Sequence, residues 1–467
     1  MDRHLDLVVI GTGSGNSIVD QRFDAWQVAL VEQGVGPLDS FGGTCLNVGC
    51  IPTKMFVHTA DTARAPEHGA VLGLDLALRG VDWPAVRDRV FGRIDPIAAA
   101  GERYRATGSD NVTLYRGTAR FTGVRQLRVD TADGPVTLTA DRVVVAVGSR
   151  PVIPDVPGLD DALGYRTSDT VMRMDRLPRR MTVLGSGFVA AELAHVFSSL
   201  GVEVTLVARG DLLLRQEDTD LARRFTELAQ GQWDVRLNRT LRRAARTGDT
   251  LLLHLDGPEG PETLETDELL VATGRRPNAD LVDAAAGGLA LHPDGRIVVD
   301  ARQATTVPGV WALGDVSSRR QLKHVANHEA RTVRHNLLHP DAPRSSDHRY
   351  VPHAVFSAPR IASVGLTEQQ ARADGRRYVT ATREYSGIAY GWAMEDTTGF
   401  AKILADPATG ELLGAHIIGP EAPTLIQPLI QAMSFGLDAR AMAENQYWIH
   451  PAMPELVENA LRDLPLD

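Results

Sequence analysis

Twice in this chain an apolar run ends in the same kind of glycine turn. "LDLVVI" leads into Gly11-Thr12-Gly13, and "MTVL" leads into Gly185-Ser186-Gly187. A buried strand, a tight glycine turn and a helix open the βαβ unit that binds a dinucleotide. The first glycine permits the turn, and the second lets backbone approach a pyrophosphate at a helix N-terminus. Two such units predict an α/β protein with two Rossmann-like nucleotide-binding domains.

The first unit reads as strand, turn, helix ("GTGSGNSIVDQRF") and second strand ("QVALVE"). Gly11, Gly13 and Gly15 supply the turn. Asn16 stands at the third position of G-x-G-x-x-G, where Gly or Ala is usual, so its side chain is expected to tilt the helix or touch the ligand. Glu32 ends the second strand about 20 residues on, where an acid holds ribose hydroxyls. The second unit carries a full G-x-G-x-x-A in Gly185, Gly187 and Ala190. Its second strand runs into "VARGDLLLR", so Ala208 and Arg209 stand where an acid would favour NAD, and Arg215 follows. Arginine suits the 2′-phosphate of NADP, and NADPH is the expected donor. The plainer reading is two solvated arginines, because arginine supplies nearly all the positive charge. The only lysines are Lys54, Lys323 and Lys402.

A third strand end, "GVWALGDVS", places Gly314 and Asp315 where an aspartate meets a ribityl hydroxyl of FAD. Two similar segments, "RVVVAVGSRPVIPDVPG" and "ELLVATGRRPN", close the two units and add Gly148 and Gly274 as cofactor candidates. From about residue 348 the pattern changes to alternating strands and C-terminal helices. The expected spans are 1–150 (FAD binding, with the dithiol), 151–275 (NADPH binding), 276–347 (central, completing the FAD site) and 348–467 (a C-terminal α+β domain). At about 150 residues per domain, 467 residues suit this plan.

Both cysteines lie in "FGGTCLNVGCIPTK". C-x4-C is not a zinc spacing, and so small a ring restricts the unfolded chain too little to serve as a staple. Glycines around the thiols let the backbone join them, and Pro52 suits a helix start, whose N-terminus favours a thiolate. Cys45 and Cys50 therefore read as a reversible redox dithiol, with Gly43 and Thr44 beside it as cofactor contacts. Near the C-terminus, His450 precedes Pro451, and Glu455 follows five residues later; a carboxylate-held histidine is a general acid/base. His324, His328, His335 and His339 recur at helical spacing but lack HExxH and an acidic cluster, so no metal is expected, and their helix is placed near the flavin. The net charge of -10 does not favour nucleic acid. No apolar run approaches the ~18 residues of a membrane span, and the N-terminus lacks a secretory pattern, so a cytoplasmic protein is expected.

In order and in motif, above all "GGTCLNVGCIPTK", the chain resembles the pyridine nucleotide–disulfide oxidoreductases over essentially its whole length. The resemblance implies a glutathione-reductase-like fold with FAD and NADPH domains and a C-terminal dimerisation domain. It implies that Cys45 attacks a substrate disulfide while Cys50 lies against the flavin. Lys54 would lie near the flavin with Glu192, in "AAELAH", as its ion-pair partner. His450 and Glu455 would form an acid/base dyad reaching the dithiol of the other subunit of a homodimer. Segments outside this shared core, such as "GTGSGNSIVD", "YGWAMEDT" and "YWIHPAMPELVENAL", mark one branch of the family, with a low-molecular-weight disulfide as substrate. No second cysteine pair stands at the C-terminus, which disfavours mercuric reductases and large thioredoxin reductases. A flavin redox sensor without turnover is the alternative from another class, and the intact catalytic set weighs against it.

Overall fold

A computed structural model describes residues 2–467. Strand Asp2–Ile10 lies between Val28–Glu32 and Gly134–Val145, parallel to both. Val112–Gly123 extends the sheet on one side and Val310–Ala312 on the other, while Gln126–Thr131 pairs antiparallel with two of these strands. The run Val28–Glu32 is buried along its whole length, as a parallel strand covered on both faces must be. The parallel strands end together, so Gly11, Glu32, Gly148 and Asp315 gather at one carboxyl edge, where open α/β sheets bind ligands.

The second unit repeats the first at backbone level. Arg180–Leu184 lies between Glu203–Val207 and Glu268–Val271, all parallel, with Asp234–Arg236 beyond. Gly11 N–H donates to Val31 O at 2.8 Å, and Gly185 N–H donates to Val207 O at 2.9 Å. Ala146 N–H reaches Ile10 O, and Ala272 N–H reaches Leu184 O, each at 2.8 Å. The chain leaves the first unit through Ser149–Pro151 and returns through Arg275–Pro277, and these two segments pair antiparallel. Beyond residue 352 a five-stranded antiparallel sheet has the fully buried strands Phe400–Ala405 and Leu412–Ile418 at its centre. The last helix, Glu455–Arg462, covers it with Leu456, Val457, Ala460 and Leu461, one apolar stripe at helical spacing.

One expected element is absent. The helix predicted after the first glycine turn is replaced by two single 3-10 turns, Gly15–Ser17 and Gln21–Phe23. Small polar side chains there bond local backbone instead of letting a helix propagate: Ser17 Oγ donates to Ser14 O at 2.7 Å, and Asp20 accepts from Arg22 N. Arg105, from the long helix Trp83–Thr107, donates to Asn16 O at 2.7 Å and Val19 O at 2.9 Å. It thereby binds carbonyls that a helix would have used. The matching stretch of the second unit, "FVAAELAHVFSS", has strong helix formers and makes a regular helix, Phe188–Ser199. Asn16 accordingly tilts no helix.

Candidate active site

The dithiol sits against the first glycine turn because two bare backbones meet there. Gly43 has φ +74°, and a Cβ on it would lie 2.6 Å from Gly13 Cα. Cys45 rides on the short helix Gly43–Asn47, and Cys50 opens the helix Cys50–Ala63, with Pro52 in its first turn. Asn47 Nδ2 donates to Phe41 O at 2.9 Å and Gly43 O at 3.0 Å, which holds the loop between the thiols. Both cysteines are free thiols facing one cavity. The hydrogen bond from Cys45 pulls the Cys50 thiol down to about 7; burial opposes this and the Lys54 charge assists it. The same hydrogen bond, together with burial, pushes Cys45 up. When the pair loses its first proton, the hydrogen bond places the thiolate on Cys50 and keeps the proton on Cys45.

The cavity also contains Gly11, Gly13, Glu32, Thr44, Lys54, Gly148, Glu192, Gly314 and Asp315. Its floor is bare peptide: a Cβ on Gly11 would lie 2.4 Å from Ala146 O, and one on Gly13 would have only Gly43 Cα near it, at 3.9 Å. That is the close backbone approach a pyrophosphate needs. Glu32 is buried and accepts from Thr12 N–H at 2.8 Å, Thr12 Oγ1 at 2.5 Å and Gly34 N–H at 2.6 Å. Three donors fix this carboxylate in the cavity wall. Asp315 accepts from Ser149 Oγ at 2.6 Å, and Arg275 Nε donates to that same hydroxyl at 2.9 Å. Burial raises the Asp315 pKa, with the Ser149 bond opposing it. This donor and acceptor set fits FAD.

Two candidates of the first glycine turn fall outside the cavity. Gly15 packs behind it, since a Cβ there would meet Ala146 Cβ at 2.9 Å and Val9 Cγ1 at 3.0 Å. Asn16 is also outside, and its Oδ1 accepts from Arg105 Nε at 2.7 Å; the expected ligand contact is replaced by a structural one.

Residues 5–330 match the model of the pyridine nucleotide-disulphide oxidoreductase family, and residues 351–461 match that of its dimerisation domain. The chain belongs to the pyridine nucleotide-disulphide oxidoreductases. It is 52% identical to the mycothione reductase of Mycobacterium tuberculosis, over 98% of this chain and 99% of that protein. It is 33% identical to the dihydrolipoyl dehydrogenase of Halobacterium salinarum, over 97% and 95%. Among solved structures, the Cu(II) complex of the HOCl-induced flavoprotein disulfide reductase RclA from Escherichia coli superposes with a TM-score of 0.87. That match has 28% identity and covers 98% of this chain and 99% of the other. The fold is thus the glutathione-reductase-like α/β fold of this oxidoreductase family, whose cofactors are FAD and NAD(P)H. The family's dimerisation domain corresponds to the C-terminal sheet and its helices, the part that makes a homodimer.

The oxidoreductase's second nucleotide unit lies across the dithiol helix. Lys54 Nζ donates to Glu192 Oε2 at 2.5 Å and stands 4.5 Å from the centre of the Phe356 ring. Gly185 has φ +142°, and a Cβ on it would meet Ala272 O at 2.2 Å; Gly187 faces open space, and Ala190 is buried in the helix behind. Gly274, at φ +126°, accepts from Val152 N–H where the ribbon between the units begins. The matched bonds to Val31 O and Val207 O place Ala208 at the position of Glu32. Arg209 follows directly, and both Arg209 and Arg215 are exposed.

His450 Nδ1 and Glu455 Oε1 are 2.6 Å apart, on a surface 71% exposed at the histidine. Neither residue lines the dithiol cavity of its own chain. The helix Lys323–Leu338 reaches that cavity with Lys323 and Ala326. Its histidines instead bond outside it, His324 to Pro352 O and His335 to Ala342 O. Among the described residues no group of three His, Cys, Asp or Glu side chains is placed to hold a metal. Nor is any helix among them long and apolar enough to cross a membrane.

Sequence reading missed Thr12, Ser149 and Arg275, which orient the two cavity carboxylates, and Arg105, which braces the glycine loop. It also missed Lys323, whose Nζ donates to Ser14 Oγ at 2.9 Å beside the glycine turn and whose charge tends to lower Cys45. Lysine rarity was a usable signal for Lys323. The other residues are ordinary types whose partners lie far away in sequence.

Proposed function

We propose that this chain takes electrons from NADPH and reduces mycothione, the disulfide of mycothiol, to two thiols. The observation that carries this is 52% identity to a mycothione reductase along nearly the full length of both proteins. Dihydrolipoyl dehydrogenase, at 33%, shares the family but much less of the sequence. The exposed Arg209 and Arg215, with Ala208 at the position of Glu32, favour NADPH over NADH.

FAD bound in the cavity supplies the two-electron relay between the nicotinamide and the dithiol. Gly11, Gly13, Glu32 and Asp315 would hold it, and Lys54 with Glu192 would set the charge beside it. Two electrons open the Cys45–Cys50 disulfide, leaving a Cys50 thiolate and a Cys45 thiol, the protonation pattern that the hydrogen bond between them favours. Cys45 gives its proton to His450 of the partner subunit and attacks one mycothione sulfur. A Cys45 mixed disulfide forms, and the first mycothiol departs as a thiolate that takes up the proton from that histidine. The Cys50 thiolate then attacks Cys45 Sγ, expels the second mycothiol and restores the disulfide. The sum is mycothione, NADPH and a proton in, and two mycothiols and NADP+ out. In this reading residues 1–150, 151–275, 276–347 and 348–467 serve as FAD, NADPH, central and dimerisation domains of a cytoplasmic homodimer.

NADPH oxidation measured side by side with mycothione, glutathione disulfide and lipoamide tests the substrate. The reading requires the highest kcat/KM for mycothione; equal or better turnover of either other disulfide overturns it.

A further inference from the structure

The loop carrying Arg209 and Arg215 is gripped from two sides. Leu214, in the left-handed region at φ +51°, donates its N–H to Ser186 O in the second glycine turn at 2.8 Å. Just beyond Arg215, Glu217 and Asp218 turn inward and are buried. Their partners come from the dimerisation domain. Glu217 Oε1 pairs with His353 Nε2 at 2.7 Å, its Oε2 accepts from Ser363 Oγ at 2.7 Å, and its carbonyl accepts from Gln369 Nε2 at 2.8 Å. Asp218 Oδ2 accepts from Glu368 N–H at 2.8 Å.

Lys402, at the centre of this contact, is 3% exposed on the middle of a buried strand. Its single nitrogen donates to Asp218 Oδ1 at 2.9 Å, Asp220 Oδ2 at 2.6 Å and Glu368 Oε2 at 2.6 Å. An ammonium has three N–H donors on one atom, and here each has its own carboxylate; the planar fork of arginine cannot make that tripod. This explains a lysine at this site in a chain that otherwise uses arginine. Burial alone would lower the Lys402 pKa, but the three carboxylates reverse that and hold it charged.

We propose that Lys402 is a positioning residue for NADPH recognition: through Asp218 it fixes the loop that presents Arg215 to the 2′-phosphate. The dimerisation domain thereby sets the cofactor preference of a site that it does not itself form. This rests on the reading of Arg209 and Arg215 as phosphate contacts.

The test uses the FAD-loaded dimer and compares NADPH with NADH in four variants. Lys402→Arg keeps the charge but loses the tripod, and Gln369→Ala removes two bonds at a less buried position, to Glu217 O and from Thr219 N–H, which keeps the test alive if Lys402 variants fold poorly. KM for NADPH should rise in both, by about tenfold in Lys402→Arg, roughly the loss of one charge-assisted hydrogen bond. KM for NADH and kcat should stay near the parent values. Arg209→Ala and Arg215→Ala run alongside. If they lower the NADPH preference while Lys402→Arg and Gln369→Ala leave it unchanged, or raise both KM values equally, the anchoring role is wrong. If the two arginine variants leave the preference unchanged, the phosphate reading fails and the proposal fails with it.

Discussion

Lys54 Nζ and Glu192 Oε2 meet at 2.5 Å across 138 residues of sequence. Lys54 is one turn into the dithiol helix, and Glu192 is one turn into the helix of the second nucleotide unit. The other oxygen of Glu192 accepts from Phe356 N–H at 2.9 Å, at the edge of the C-terminal sheet. One carboxylate therefore ties together the dithiol, the nicotinamide-side unit and the dimerisation domain. Replacing Lys54 by Met should lower unfolding stability by about 2 kcal/mol. That is less than for a fully buried pair, because Lys54 is 35% exposed and Glu192 only 5%. Denaturant unfolding of the FAD-loaded protein measures it, and rapid-mixing reduction by NADPH should slow in the same variant.

The dithiol should titrate asymmetrically. Cys50 lies below its ordinary thiol value, at about 7, so its thiolate appears at lower pH than that of a free cysteine. Thiolate absorbance of the reduced protein should rise through neutral pH, and a Cys50→Ser variant should lose that rise. In Lys54→Met the rise should move to higher pH, since the Lys54 charge favours the thiolate.

His450→Ala should reduce mycothione turnover by about a hundredfold or more, a usual loss for a general acid/base. Reduction of the flavin by NADPH should stay fast. Because burial and the bond to Cys50 raise the Cys45 pKa, the residual activity should climb as pH increases and Cys45 loses its proton without help. Slow flavin reduction in this variant would contradict the assignment.

Arg105 makes three hydrogen bonds to Asn16 and Val19 that stand in for a helix. Arg105→Ala should weaken FAD retention and cost about 2 kcal/mol of stability. Arg105→Lys should rescue little, because one ammonium cannot span the acceptors that a guanidinium fork reaches. Flavin released on dialysis and denaturant unfolding give the two readouts.

How much of this was legible in sequence follows from distance along the chain. Gly11, Gly13, Glu32, Asp315 and the two thiols stood out because their spacing is local, and the structure gathers them around one cavity. His450 and Glu455 are five residues apart, and they meet as that spacing implies. Asn16 was recognised as a departure but given the wrong partner, because Arg105 lies 89 residues away on another helix. The missing helix has the same origin: a glycine turn before apolar residues reads as helical until a distant guanidinium supplies other bonds. Lys54 and Glu192 were joined by resemblance alone, and the surroundings of Lys402 were invisible because its three carboxylates come from two separate segments.

The most direct test of the dithiol account is rapid-mixing of a Cys45→Ser variant with NADPH and then with mycothione. The account predicts flavin reduction at close to the parent rate, followed by no release of mycothiol. Retention of most mycothione turnover would contradict it.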